Sequence, residues 1–176
     1  MTFTETPLKG AFLIDLEPHP DERGYFARTY CRKEFEAHGI ELSIVQSNLS
    51  FNRKAGTLRG IHFQKEPKGE SKLVCCTQGA IFYVILDLRP RSSTFGRHFT
   101  AKLTAKNHRA LFIPGTFANG FQSLVDDTIV EYQMGEYYAA ELSSGYRYDD
   151  SAFSISWPLP TSVISARDLA WPRFQQ

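Results

Sequence analysis

Apolar and β-prone residues recur along the chain in short runs: "LSIVQSNLSF" (42–51), "KLVCCTQ" (72–78), "AIFYVILDLR" (80–89), "HFTAKLT" (98–104), "RALFIP" (109–114), "TIVEYQM" (128–134) and "FSISWP" (153–158). Turn-forming Gly, Pro, Asn, Asp and Ser mark most boundaries, as in "TQGA", "RPRSSTFG", "IPGTFANG" and "VDDT". Many short strands at this spacing predict an all-β fold, a jelly-roll sandwich or barrel closed around a pocket, with a few short peripheral helices. "RKEFEAHG", from Arg32, is the clearest helical stretch, and Gly39 stands where a helix commonly stops.

In a strand, residues two apart share a face. Lys72 therefore lies with Val74 and Cys76, and Tyr132 with Val130 and Met134. Small barrels often hold their ligand inside, which makes this lysine and tyrosine candidates for a pocket wall. Lys72 at a strand end with its head in water, and Tyr132 as a core ring with a satisfied hydroxyl, are the alternatives that pattern alone favours.

The chain has 176 residues, with no repeat, low-complexity segment or linker to divide it, and reads as one domain over 1–176. No apolar run approaches a membrane span, and "MTFTETPLKG" lacks the basic start and apolar stretch of a secretory signal, so a cytoplasmic location is expected. A formal charge of +1 gives no electrostatic case for nucleic acid or an anionic membrane as the main partner. Cys31, Cys75 and Cys76 suit neither a disulfide framework nor a zinc site and read as small apolar side chains.

"GTLRGIHFQ" sets His62 three residues after Arg59. Metal-binding jelly rolls commonly use two histidines one residue apart, and here the stretch reads His62, Phe63, Gln64. His19, His38, His98 and His108 show no ligand spacing with it, so no metal is expected. No G-x-S-x-G elbow or phosphate-binding glycine loop is present. Proton transfer and a packed core histidine remain for His62.

Taken together and in order, "DERGYFART", "VQSNLS", "GTLRGIHFQ", "KLV", "DLRPRSSTFG", "IPGTFANGF", "EYQMGEYY", "RYDDSAFSISWP" and "SARD" resemble the dTDP-4-dehydrorhamnose 3,5-epimerase family nearly end to end. The resemblance implies a cupin-like jelly roll without metal or cofactor, a homodimer with exchanged N-terminal segments, and a nucleotide-diphosphate sugar as substrate. A ketone at carbon 4 acidifies the protons on carbons 3 and 5. Inversion then needs a base on one face, an acid on the other and a positive group for the enolate oxygen. By resemblance His62 is the base, Asp168 the carboxylate that orients it, Tyr132 the proton donor and Lys72 the cation near the enolate oxygen.

Substrate-binding positions carried over in the same way are Arg23 and Arg59 for the diphosphate, with Arg23 serving the partner subunit's site. Gln46, Ser47 and Asn48 fall on the nucleotide-contacting segment, Phe26 and Tyr138 among the aromatics near the ligand, and Asn119 and Arg167 complete the set. Four positions depart from the family: Arg28 and Ser143 replace glutamates, Tyr83 an aspartate and Asn119 a histidine. The activity implied is epimerisation of dTDP-4-dehydro-6-deoxy-D-glucose to dTDP-4-dehydro-L-rhamnose. Inversion of one carbon only, a CDP- or GDP-linked ketosugar, and a non-catalytic sugar-binding jelly roll stand as alternatives.

Overall fold

The computed structural model describes residues 1–175. In chain order, strands β1 (Thr2–Glu5) and β2 (Phe12–Asp15) precede a small hairpin of β3 (His19–Asp21) and β4 (Gly24–Phe26), then helix α1 (Arg32–Ala37). The body follows: β5 (Gln46–Asn52), β6 (Thr57–Gln64), β7 (Lys72–Gln78), β8 (Ala80–Asp87), β9 (His98–Thr104), β10 (Ala110–Ile113), β11 (Phe117–Ser123) and β12 (Thr128–Met134). A 3-10 turn at Ala140–Leu142 leads into β13 (Ser143–Gly145), β14 (Val163–Ile164) and helix α2 (Ala166–Leu169).

Two sheets carry the molecule, one ordered β1-β2-β10-β7-β12-β5 and the other β13-β6-β11-β8-β9 with β14 beside β6. This is the cupin-like all-β architecture expected. Neighbouring strands are antiparallel throughout the two sheets except β14, which runs parallel to β6. Val74, Cys76 and Val130 of the first sheet meet Ile81, Tyr83, Ile85 and Phe121 of the second in the main core. Each sheet is also covered outside: Phe35 of α1 packs with Ile14, Leu73 and Phe112, while Phe153, Tyr146, Trp157 and Phe174 cover Ile61, Val84 and Leu86. No helix among the described residues is long and apolar enough to cross a membrane.

Three runs behave differently from expectation. "FSISWP" joins no strand ladder; Phe153 and Trp157 serve the outer aromatic cluster instead. In "LSIVQSNLSF" the strand begins only at Gln46, because Leu42 and Ile44 turn under α1. "FANG", which reads as part of a turn, opens the central strand β11. Its Gly120 belongs there because a Cβ would lie 2.7 Å from the Arg59 carbonyl oxygen. Helix α1 starts at Arg32 and ends at Ala37, capped by His38, with Gly39 just beyond it at φ +71° as the sequence predicts.

The decisive local feature is a bulge in β6. Asn119 pairs with His62 and Phe121 with Arg59, so Gly60 and Ile61 together oppose Gly120 alone. Residues three apart on a regular strand face opposite ways; one extra residue restores the phase and turns Arg59 and His62 to the same side. Gly60 adopts φ +104°, and a Cβ there would lie 2.6 Å from the Asn119 carbonyl oxygen and 2.7 Å from Gly120 Cα. Gly60→Ala therefore combines backbone strain with overlap that cannot relax. We expect it to destabilise the fold by roughly 2–4 kcal/mol. Urea unfolding checks this, and a midpoint equal to that of the parent would contradict it.

Candidate active site

The first sheet builds one pocket wall by register. Tyr132 pairs with Asn48 and Val74, Met134 with Gln46 and Lys72, and Val130 with Ser50. Period-two alternation thus gathers Gln46, Asn48, Ser50, Lys72 and Tyr132 on the inward face. Across the bulge, the second sheet contributes Arg59, His62, Tyr83 and Asn119. The chain end supplies Arg167 and Asp168 from α2, which β14 delivers to the side of β6. Together they line a cavity of about 390 Å³ whose floor, Val74, Tyr83, Phe121 and Val130, is continuous with the main core.

His62 is fixed from below. Its Nδ1 lies 3.1 Å from the Asn119 carbonyl oxygen. A carbonyl can only accept, so Nδ1 carries the hydrogen and Nε2 keeps a free lone pair. Burial and then the nearby Lys72 ammonium lower its pKa below the ordinary 6.5, opposed by the Asp168 charge, the Asn119 bond and Glu70. The imidazole is thereby neutral at neutral pH.

Asp168 is buried, and its amide N–H donates to the N-cap Ser165 Oγ, 3.0 Å away. Its carboxylate accepts the Gly60 N–H at 3.2 Å and the Trp171 Nε1–H at 3.3 Å. His62 is therefore oriented by the hydrogen bond it donates to the Asn119 carbonyl, while Asp168 acts on the imidazole through charge and holds the bulge.

Tyr132 keeps its proton: burial first, then Glu70, raise its pKa, with Arg59 opposing. Lys72 is buried and ion-paired to Glu70, itself buried. Arg59 donates to Asn52 Oδ1 at 2.9 Å and to the Phe51 carbonyl at 3.2 Å, which holds its guanidinium at the pocket wall. At the rim, Arg167 bridges Tyr138 Oη at 3.2 Å and Ser143 Oγ at 2.5 Å. Among the described residues, no cluster of three or more His, Cys, Asp or Glu side chains could hold a metal ion.

Of the residues singled out in the sequence, His62, Lys72, Tyr132, Asp168, Gln46, Asn48, Arg59, Asn119, Tyr138 and Arg167 share this pocket. Three do not reach it. Ser47 pairs with Gln133 on the alternate, exposed face of β5. Arg23 and Phe26 sit on the β3–β4 hairpin, with Arg23 salt-bridged to Asp21 and Phe26 69% exposed.

Glu70, which also lines the pocket, is not among the residues singled out in the sequence, although the alternation through Lys72, Val74 and Cys76 reaches it one step earlier. Nor is Ser50, whose buried hydroxyl has no hydrogen-bond partner among the described residues. Two of the four departures are partners: Tyr83 Oη donates to Asn119 Oδ1 at 2.9 Å. Ser143 accepts from Arg167, and Arg28 pairs with Glu34 at 2.8 Å on the surface.

Fold and pocket define a cupin-like sandwich whose interior combines a neutral imidazole, a protonated phenol and a buried ammonium ion. Residues 5–176 match the family model described as dTDP-4-dehydrorhamnose 3,5-epimerase. A protein of that name from Methanothermobacter thermautotrophicus is 42% identical over 172 residues, 96% of this chain and 92% of its own. The Bacillus anthracis enzyme of the same name, crystallised with TDP and PPi bound, superposes with a TM-score of 0.95 at 42% identity, covering 98% of this chain and 99% of the other. A Legionella pneumophila dTDP-6-deoxy-D-glucose-3,5-epimerase in complex with dTDP-4-keto-L-rhamnose gives 0.91 at 33% identity, covering 98% and 92%. The chain belongs to the dTDP-4-dehydrorhamnose 3,5-epimerase family and is an isomerase.

The electrostatics of His62 are directly measurable. Its ring should titrate below 6.5 in the intact protein, and Lys72→Met, which removes the opposing cation, should move that titration upward. NMR of the imidazole resonances reads both values; an unshifted or lowered titration in the variant would refute the assignment.

Proposed function

We propose that the protein converts dTDP-4-dehydro-6-deoxy-D-glucose to dTDP-4-dehydro-L-rhamnose by inverting carbons 3 and 5 through enolates. One observation carries the reading: His62 enters the pocket from one sheet, while Tyr132 and Lys72 enter from the other. Nε2 of His62 takes the proton from the carbon next to the ketone; the C–H electron pair becomes the carbon–carbon double bond of the enolate, and the carbonyl π pair moves onto the oxygen. The Lys72 ammonium stabilises that oxygen, and Asp168 stabilises the imidazolium. Tyr132 then delivers its phenolic proton to the opposite face of the carbon. Solvent reprotonates the phenolate and relieves the imidazolium, which restores the starting state without a cofactor.

Arg59 suits the diphosphate, a match of planar cation to anionic oxygens. Gln46, Asn48, Tyr138 and Arg167 line the approach for the nucleotide, and the Tyr83–Asn119 pair faces the sugar. Residues 1–176 act as one epimerase domain, in line with the unbroken family match. A nucleotide-sugar substrate and three free thiols favour the cytoplasm.

The functional unit is a homodimer in which the β3–β4 hairpin reaches the partner's pocket. Support comes from Arg23 and Phe26, both exposed and outside the pocket of their own subunit, and from Leu49 and Phe51, exposed on the edge strand β5.

In deuterated water the parent enzyme should place solvent label at both carbons 3 and 5. His62→Ala should lose exchange by about 10²–10⁴-fold, the usual range for a general base. Label at one carbon only would assign a mono-epimerase, and label at neither would reject the epimerase reading. Tyr132→Phe should slow inversion more than proton removal; equal losses would count against the phenol as donor.

Hairpin exchange has its own test. His62→Ala and Arg23→Ala homodimers should each be impaired, and remixing them should restore up to about a quarter of parental activity through one intact site per heterodimer. No recovery despite confirmed subunit exchange would contradict a shared site.

A further inference from the structure

Glu70 takes no part in the proton transfers proposed above, yet it is among the most enclosed charges of the described residues. It stands two residues before Lys72, at the entry to β7, and only 8% of it is exposed. Its carboxylate is ion-paired with the Lys72 ammonium, itself 9% exposed, and both line the cavity. A buried ion pair contributes little net stability, because desolvation offsets attraction, whereas removing one partner strands the other charge. Such a pair inside a reaction cavity calls for another explanation than fold stability.

We propose that Glu70 is a positioning residue of this active site: its carboxylate anchors the Lys72 ammonium at the wall of the cavity, aimed at the keto oxygen of the bound hexose. This rests on the epimerase reading above. Lysine has a flexible four-carbon stem, so an ammonium that must meet a developing enolate needs a fixed partner to hold it there before the charge arrives.

Glu70 also acts at longer range. The charged groups facing His62 are Lys72, Asp168 and Glu70; those facing Tyr132 are Glu70 and Arg59. Glu70 favours the protonated form of both rings, and it does the same for the buried Tyr83 phenol. One carboxylate therefore opposes loss of the proton from the base and from the donor alike.

Glu70→Gln keeps size and removes charge, so it separates these effects from packing. It should lower kcat by about 10-fold, the scale of one lost charge-assisted hydrogen bond, with KM for the nucleotide sugar little changed. Both limbs of the kcat/KM–pH profile should move to lower pH, since His62 and Tyr132 each lose a neighbour that favoured their protonated forms. Glu70→Asp, which keeps the charge, should return the limbs toward their parental positions.

Should Glu70→Gln fold poorly, the Glu70→Gln/Lys72→Met double variant leaves no charge stranded. Compared with Lys72→Met alone, its His62 ring should titrate at lower pH by NMR, a readout that needs no turnover. Parental kcat with unmoved limbs, or a His62 titration equal in the single and double Lys72→Met variants, would overturn the proposal. An inactive parent enzyme would instead reject the epimerase reading itself, so the two failures are distinct.

Discussion

The wall of the pocket that carries His62 depends on the bulge at Gly60–Ile61. The bulge sets the phase of β6 so that Arg59 and His62 point the same way. It brings the Asn119 carbonyl under the imidazole and offers the Gly60 N–H to Asp168. Two glycines make the approach feasible, since a side chain at Gly60 would overlap the Asn119 carbonyl and one at Gly120 the Arg59 carbonyl. A single irregularity of the backbone thus couples the placement of Arg59, His62 and Asp168.

Around that feature the two sheets divide the chemistry. The sheet containing β6 supplies the proposed base, His62, held neutral by burial and by the cation opposite. The sheet containing β7 and β12 supplies the phenol, held protonated by burial and by Glu70, together with the ammonium. Neither wall alone could invert a carbon, because removal and return of a proton must take place on opposite faces. Tyr83 and Asn119 bond to each other inside the pocket, a phenol and an amide that add no charge beside His62.

Much of the fold is legible in the sequence wherever alternation is unbroken. β7, β8, β9, β10 and β12 fall on their apolar runs, and α1 falls between Arg32 and Gly39. The same alternation puts Lys72 and Tyr132 on inward faces. It fails at β11, whose Gly and Asn resemble turn residues but serve close strand approach, and at "FSISWP", whose aromatics cover a sheet from outside. It cannot reveal the bulge, which reverses the facing that Arg59 and His62 would have on a regular strand. The bond that fixes His62 comes from a backbone carbonyl, which no residue identity encodes. Asp168, more than 100 residues from His62 and on a four-residue helix, is visible only through family resemblance.

The most direct measurement of the central claim is a crystal structure of the enzyme with a nucleotide-linked 4-keto-6-deoxyhexose, or an inert analogue, in the pocket. The ring should be clasped between the sheets, with His62 Nε2 facing one side of carbons 3 and 5, Tyr132 Oη the other, and Lys72 Nζ within hydrogen-bonding distance of the carbon-4 oxygen. A hexose bound outside the cavity, or with imidazole and phenol on the same face, would contradict it.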